Sequence, residues 1–186
     1  MFPPWVLATL VSVLVLGATI ARHRNHHLLN EWFGYAVVAV LTVALVSGLV
    51  TLILALPKHV VPAPRLLEAA AVLWVTNVVV FASWYWRLDA GGPNERETKA
   101  THLRGAFLFP QMAVMAPGPS GVSYAEAEGW KPRFVDYLAL SFYSCTAFSP
   151  TDVPVLSRWA KLMMMVQTGI SFATVALLAA RAVNIL

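Results

Sequence analysis

The residues of this sequence that could do chemistry lie just before its last apolar stretch. Five hydroxyl-bearing residues and one carboxylate recur there: Ser141, Ser144, Thr146, Ser149, Thr151 and Asp152. Hydroxyl and carbonyl oxygens can replace the water around a cation, and a carboxylate at the mouth of such a passage attracts cations. The residue types between 141 and 152 therefore predict a segment that lines a path for ions.

Other kinds of chemistry find little support in the sequence. No nucleophile–base pair, no HExxH motif and no paired carboxylates at membrane depth stand out, so no enzyme activity is expected. His23, His26 and His27 would share a helical face, but a solvated basic loop is expected there rather than a metal site. The single cysteine, Cys145, rules out an intramolecular disulfide. We expect no metal and no cofactor.

The low charge of the chain places it in a membrane. Of its 186 residues, 59% are hydrophobic and 12% are charged, whereas soluble domains carry roughly 25% charged residues. A chain with so few charges cannot cover a water-facing surface, so its outer surface is expected to face lipid. The net charge of +4 is too small and too scattered to indicate nucleic-acid binding.

Four apolar segments are near or above the roughly 20 residues that a bilayer-spanning helix requires. They are 5–21, 33–56, 66–86 and 159–186. In lipid they must be helical, because every backbone N–H and C=O needs a partner within the chain. The third ends in an interfacial aromatic belt, Trp84, Tyr85 and Trp86. The predicted fold is an all-α integral membrane protein, multi-pass in the cell membrane, with four transmembrane helices.

A further apolar stretch, within 134–152, is too short to cross the bilayer. It is followed by polar, Pro-containing sequence that is not expected to be helical. Non-helical backbone at membrane depth is tolerated only inside protein or along a water-filled cavity. We therefore expect a short re-entrant pore-type helix followed by a turn, just before the last transmembrane helix.

This order of segments resembles the pore module of the potassium-channel superfamily, in which an outer helix, a pore helix, a filter and an inner helix follow one another. The resemblance implies two peripheral transmembrane helices in 1–64 and a channel-like pore module in 65–186. Within the module it implies an outer helix at 66–86, a long extramembrane loop at 88–133, a pore-type helix and filter-like turn at 134–152, and an inner helix at 159–186.

Three residues carry the resemblance further. Asp152 and Pro154 stand like the Asp and Pro that follow the family's filter, and Gly169 stands like the hinge glycine of the inner helix. Selectivity filters are built as rings, so the resemblance also implies a homotetramer in the lipid bilayer that passes monovalent cations.

The filter position departs from the family pattern. It reads Thr146, Ala147, Phe148, Ser149, Pro150, Thr151 and Asp152, without a glycine. Family filters need glycines to turn successive carbonyls inward, and Pro150 has no N–H. Potassium selectivity is therefore not expected. Two hypotheses remain: a cation-channel-like protein with a non-standard filter, and a non-conducting membrane scaffold or regulatory subunit that retains a channel-like architecture.

Polar residues within the long helices have two interpretations. Gln167, Ser171 and Thr174 share a face that either lines a cavity or forms a polar seam between subunits. Gly169 is either a hinge or a site of close packing. Asn77, in the middle of the third span, is expected to join helices through hydrogen bonds.

Overall fold

The structure is a computed structural model in which residues 4–23, 27–55, 62–98, 105–113, 130–146 and 152–183 are described. Within these ranges the protein is helical and has no β-strand, only an isolated bridge between Phe107 and Val155. The all-α prediction is confirmed for this part of the chain. Contacts divide the chain into two compact units, Met1–Ala69 and Ala70–Leu186.

The first unit is built on two helices, α1 (Pro4–His23) and α2 (His27–Ala55). They pack closely at Gly17, where an added Cβ would lie 3.1 Å from Cε1 of Phe33. Val38 and Leu45 of α2 are buried, whereas Val43 of the same helix is 70% exposed. α2 thus buries one narrow stripe and leaves other apolar side chains uncovered.

The second unit contains most of α3 (Ala63–Leu88) and everything that follows it. Its other elements are a 3-10 turn (Asp89–Gly91), α4 (Gly92–Thr98), α5 (Pro110–Ala113), α6 (Phe134–Thr146) and α7 (Arg158–Val183). α3 ends because Ala90, Gly91 and Gly92 all adopt positive φ, at 49°, 82° and 88°. Glycine enters this region without the steric cost of a Cβ, so the two glycines turn the chain from α3 into α4.

Three helical segments in the described chain are long and apolar enough to cross a membrane: Leu29–Ala55, Pro64–Thr98 and Arg158–Ala180. They correspond to three of the four predicted spans. Within α1 the apolar stretch that the structure describes is the shorter Val11–Ile20, so the fourth span stays a prediction. Length, composition and the uncovered apolar surface identify a membrane protein.

Hydroxyl groups on the long helices behave as they do in apolar surroundings. Thr19, Thr42, Thr76 and Ser83 each donate a hydrogen bond to the backbone carbonyl four residues earlier, at 2.7–2.8 Å. This local bond satisfies a hydroxyl without water. Such residues therefore do not interrupt a span.

Residues 88–133, which the sequence predicts to be a loop, are partly folded against the helices. They include α4 and α5, and Phe107 and Phe109 are buried. Both phenylalanine rings pack edge-on against Tyr137 of α6, with ring centroids 6.1 and 5.3 Å away. Phe107 and Phe109 are therefore packed against α6 rather than exposed, and the extramembrane location of 88–133 stays a prediction.

α6 lies between α3 and α7 and covers only part of their length. Its first residue, Phe134, packs edge-on against Trp86 near the C-terminal end of α3, at 5.8 Å between ring centroids. Its last turn, at Cys145, meets Asn77 in the middle of α3 and Ser171 in the middle of α7. At about 1.5 Å per residue, α6 is about 20 Å long and α3 about 39 Å. α6 therefore ends at mid-height.

The start of α7 lies at the end of the unit where α6 begins. The N–H of Leu156 donates to the Ala106 carbonyl (2.8 Å), and the N–H of Ala106 donates to the carboxylate of Asp89, the first residue after α3. Trp159, in the first turn of α7, contacts the Phe107 ring with centroids 6.1 Å apart. α6 and α7 thus begin at the same end of the unit.

Candidate functional site

Buried polar side chains from α3, α6 and α7 meet near the middle of the second unit. We call this set the interhelical polar cluster: Asn77, Tyr85, Ser141, Cys145, Gln167 and Ser171, each at most 5% exposed. At this depth the surrounding surfaces are apolar, so each polar group has to find its partner within the protein.

Gln167 of α7 is the centre of the cluster. Its side-chain carbonyl accepts a hydrogen bond from the Tyr85 hydroxyl at 2.6 Å. Its amide nitrogen donates to the hydroxyl and the carbonyl of Ser141, at 2.6 and 3.0 Å, and lies 3.0 Å from Sγ of Cys145. Its backbone carbonyl accepts from the Asn77 amide at 3.1 Å. One residue of α7 therefore joins α3 and α6 at once.

The C-terminal end of α6 is completed by hydroxyls of α7. The last carbonyls of a helix have no partner within it. Thr168 donates to the Ser144 carbonyl at 3.2 Å, and Ser171 donates to the Cys145 carbonyl at 2.7 Å. These bonds secure the final turn of α6 inside the protein, directly before Thr146, where the helix ends.

Asn77 leaves one hydrogen-bond acceptor open beside this final turn. Its amide nitrogen donates to the Gln167 carbonyl and lies 3.4 Å from Sγ of Cys145. Its side-chain oxygen is buried and has no hydrogen-bond partner among the described residues. An unpaired buried carbonyl costs about 1–3 kcal/mol. This acceptor therefore lowers the stability of the cluster unless it finds a donor outside the described residues.

A second cluster, the Arg96 cluster, lies at the C-terminal end of α3 and consists of Trp86, Asp89, Arg96 and Tyr137. The buried Arg96 guanidinium donates to the carbonyls of Asp89 (2.6 Å) and Trp86 (2.7 Å), so α4 caps α3. The guanidinium also lies 5.2 Å from the centre of the Tyr137 ring, and the Tyr137 hydroxyl donates to the Asp89 carboxylate (2.6 Å). This cluster ties the beginning of α6 to α3 and α4.

No protein-family model, curated protein or solved structure matches this chain.

The predicted filter-like residues fall mostly outside the described chain. Thr146 is the last residue of α6, and its hydroxyl donates to the Tyr143 carbonyl at 3.0 Å. Asp152 is exposed. The residues between them lie outside the described residues: Ala147, Phe148, Ser149, Pro150 and Thr151.

The predicted polar face of the last helix packs inside the chain. Gln167 and Ser171 bond α3 and α6, and the buried Thr174 hydroxyl donates to the Ile170 carbonyl at 2.8 Å. Gly169 lies on another face of α7, is exposed, and an added Cβ there would meet no atom within 4 Å. In the described chain the polar face of α7 is therefore used to hold α6, and Gly169 faces outward.

Sequence reasoning missed several members of these clusters, among them Tyr85 and Arg96. It placed Tyr85 in an interfacial aromatic belt, whereas its ring is fully buried and its hydroxyl reaches Gln167. The sequence did contain one indication of this position: Tyr85 follows Asn77 by eight residues, and residues four and eight apart share a helical face. Arg96 gave no local signal, because its contacts depend on the glycine turn that folds α4 back onto α3.

The chemistry within reach of the interhelical polar cluster is limited to hydrogen bonding. Its side chains are amides, hydroxyls and one thiol, and in the described chain no three His, Cys, Asp or Glu side chains group to hold a metal ion. Such a set can fix a short helix at depth and direct its terminal carbonyls. The cluster is thus a positioning device for the segment that follows α6.

Replacing Gln167 with Leu should lower the free energy of unfolding by about 1–3 kcal/mol. The substitution keeps the side-chain size but leaves the buried Tyr85 hydroxyl without its acceptor. It also removes the bonds that Gln167 donates to Ser141, whose hydroxyl keeps its bond to the Val78 carbonyl. Reversible unfolding in mixed detergent micelles, followed by far-UV circular dichroism, measures the change. Gln111→Leu is the matched control, because Gln111 is exposed on α5 and should change stability by less than about 0.5 kcal/mol. Equal stability of the two variants would contradict the role of Gln167.

Replacing Arg96 with Lys should also destabilise the protein, by about 1–3 kcal/mol. Lysine keeps the charge, but its single ammonium cannot reach the two carbonyls that the guanidinium fork bonds. Arg158→Lys, on an exposed arginine at the start of α7, serves as the control and should be neutral. The same unfolding measurement applies, and a neutral Arg96→Lys would show that α3 needs no cap from α4.

Proposed function

We propose that this protein is a cation-channel-like membrane protein in which α3, α6 and α7 form a pore module and four copies assemble around one axis. One observation carries the proposal: α6, of 13 residues, ends halfway along two long helices, and α7 begins at the end of the unit where α6 begins. This arrangement supports the proposal that α6 is a re-entrant helix in the bilayer. Non-helical backbone at that depth is tolerated inside protein or along a water-filled cavity.

The way α6 is held supports this proposal. Its C-terminal carbonyls are secured by Thr168 and Ser171, so the chain leaves the helix from a defined point inside the protein. The C-terminal end of a helix carries a partial negative charge. Aimed into the membrane interior, that charge favours a cation near residues 146–152, which follow directly.

The permeation chemistry of the proposed pore differs from that of a potassium filter. Residues 146–152 contain no glycine, and offer hydroxyls at Thr146, Ser149 and Thr151. Asp152 is exposed at the far end of this stretch, where its carboxylate would raise the local concentration of cations. We therefore propose passage of monovalent cations without potassium selectivity.

The proposed tetramer follows from the shape of the pore segment. In such pores the filter is a ring to which each of four chains contributes one short helix and its turn. A closed ring of this kind requires a cyclic assembly of the chains. The outward face of α7 suits contact with lipid or with other copies, since Leu162, Met165 and Phe172 are each more than 60% exposed. Gly169 lies among them and leaves room for another helix to approach.

α1 and α2 complete the proposed topology as peripheral transmembrane helices. Neither carries a series of arginines, so they are not a voltage sensor of the usual kind. With four spans and a re-entrant α6, both termini lie in the cytoplasm and the chain between α3 and α7 lies outside. The basic residues of that stretch argue for the opposite orientation, but the positive-inside rule weakens for loops longer than about 60 residues.

Reporter fusions at the N-terminus, within 114–129 and at the C-terminus test this topology. The two termini should report the cytoplasm and the internal fusion the outside. If α1 does not span, the termini will report opposite sides. If α6 crosses completely, the internal fusion and the C-terminus will report the same side, and the re-entrant proposal fails.

Purified protein in planar bilayers should carry cation current, and Asp152→Asn should reduce it at low salt more than at high salt. Removing the carboxylate lowers the local cation concentration, an effect that salt screens. Glu68→Gln is the control, because Glu68 is an exposed acid in the second turn of α3, at the other end of that helix from Asp89. A folded protein that remains monomeric in detergent and in lipid would rule out the pore module.

The alternative is a non-conducting membrane scaffold or regulatory subunit that retains a channel-like architecture. The observation that favours it is the glycine-free stretch 146–152, with the bulky Phe148 and the rigid Pro150 in place of filter glycines. A tetramer that stays electrically silent across voltages, pH values and ions would establish this alternative.

A further inference from the structure

A cavity of about 680 Å³ opens at the end of the second unit where α3 ends and α6 begins. Trp86 of α3, Arg96 and Glu97 of α4, and Trp130, Lys131 and Arg133 just before α6 are among the residues that line it. Nothing in the proposed pore module uses this cavity. Its wall combines aromatic rings with charged groups, which is unusual in a chain with so few charges.

The charges around the cavity favour an anion. Its basic residues are Arg96, Lys131 and Arg133, and its acids are Glu97 and Asp136, three against two. The carboxylate of Asp136 already accepts the N–H of Arg133 at 2.7 Å, which caps the start of α6. Arg96 is likewise committed to the carbonyls of Asp89 and Trp86. Among the remaining groups Lys131 and Arg133 stand against Glu97, so the net charge of the cavity lining is positive.

Two of the basic side chains, Lys131 and Arg133, have N–H groups that could bond a ligand. The Lys131 ammonium makes one hydrogen bond, to the Glu97 carbonyl at 3.1 Å, and has two further hydrogens. Arg133 is exposed, and its guanidinium has no hydrogen-bond partner in the part of the chain that the structure describes. A guanidinium and an ammonium at one rim suit the oxygens of a phosphate group.

The position of the cavity identifies the source of that phosphate. Trp86 lies near the C-terminal end of α3, where tryptophan marks the level of the lipid headgroups. Phe134 and Val135, which also line the cavity, are 38% and 63% exposed. An anionic headgroup and an apolar acyl chain would thus each meet a matching surface. A soluble anion would use only the first of these.

We infer that this cavity binds an anionic phospholipid, with its phosphate between Lys131 and Arg133 and an acyl chain along Phe134 and Val135. The site depends on the membrane location of the chain and not on conduction, so it stands apart from the pore module. It would hold α6 at its entry end by fixing the residues just before the helix to the bilayer surface.

The test compares lipid binding by the full-length protein and two double variants, using native mass spectrometry with phosphatidylglycerol or phosphatidylcholine. Wild type should retain phosphatidylglycerol in preference to phosphatidylcholine. Lys131→Gln with Arg133→Gln should lower phosphatidylglycerol affinity about tenfold or more, since each basic residue contributes separately. Arg158→Gln with Lys161→Gln removes the same two charge types from exposed positions of α7 outside the cavity and should have little effect.

The outcomes separate the lipid from other ligands. Equal phosphatidylglycerol binding by all three proteins overturns the inference. A second outcome also overturns the lipid assignment. In it, wild type binds inorganic phosphate, the cavity variant does not, and phosphatidylglycerol binding is equal in both, which shows that the site binds free phosphate. Should the double variant not fold, Arg133→Gln alone replaces it, because that exposed guanidinium carries no internal bond, and a several-fold loss is expected.

Discussion

A polar group inside a bilayer has no water to bond, and this constraint explains how the second unit is arranged. A 13-residue helix that stops at mid-height exposes its last carbonyls to an apolar interior. Hydroxyls of α7 meet those carbonyls, and Gln167 links the same turn to α3. Without these partners the last carbonyls of α6 would be buried and unpaired, at a cost of about 1–3 kcal/mol each.

The same constraint operates at the other end of α6. There α3 ends within folded protein, and Arg96 bonds its terminal carbonyls while stacking over Tyr137. Tyr137 and Ser141 therefore fasten α6 near its beginning and in its middle, and Cys145 fastens its last turn. A helix held along its whole length gives the residues that follow it a fixed point of departure, which a filter or a plug would both require.

The use of the polar face of α7 to hold α6 has a consequence for any pore. Gln167 and Ser171 are buried and bonded to α3 and α6 within one chain. The wall of the proposed pore would come from residues 146–152 and from the outward face of α7 around Gly169. The described part of that face is apolar at Leu162, Met165 and Phe172. Apolar walls of narrow passages close by excluding water, so a pore built this way would gate without charged groups.

Composition and hydropathy alone determined that the chain is helical and lies in a membrane, because spans of about 20 apolar residues leave no other option for the backbone. They also located the short helix before α7, and helical spacing placed Gln167, Ser171 and Thr174 on one face. What that face contacts was decided only by the tertiary structure. Periodicity reports which residues share a face, but the partner comes from elements distant in sequence, as Tyr85 and Ser141 are from Gln167. The local sequence likewise gave no indication of how the described residues between 88 and 133 pack. The Arg96 bonds, for example, form only because the glycine turn brings α4 back onto the end of α3.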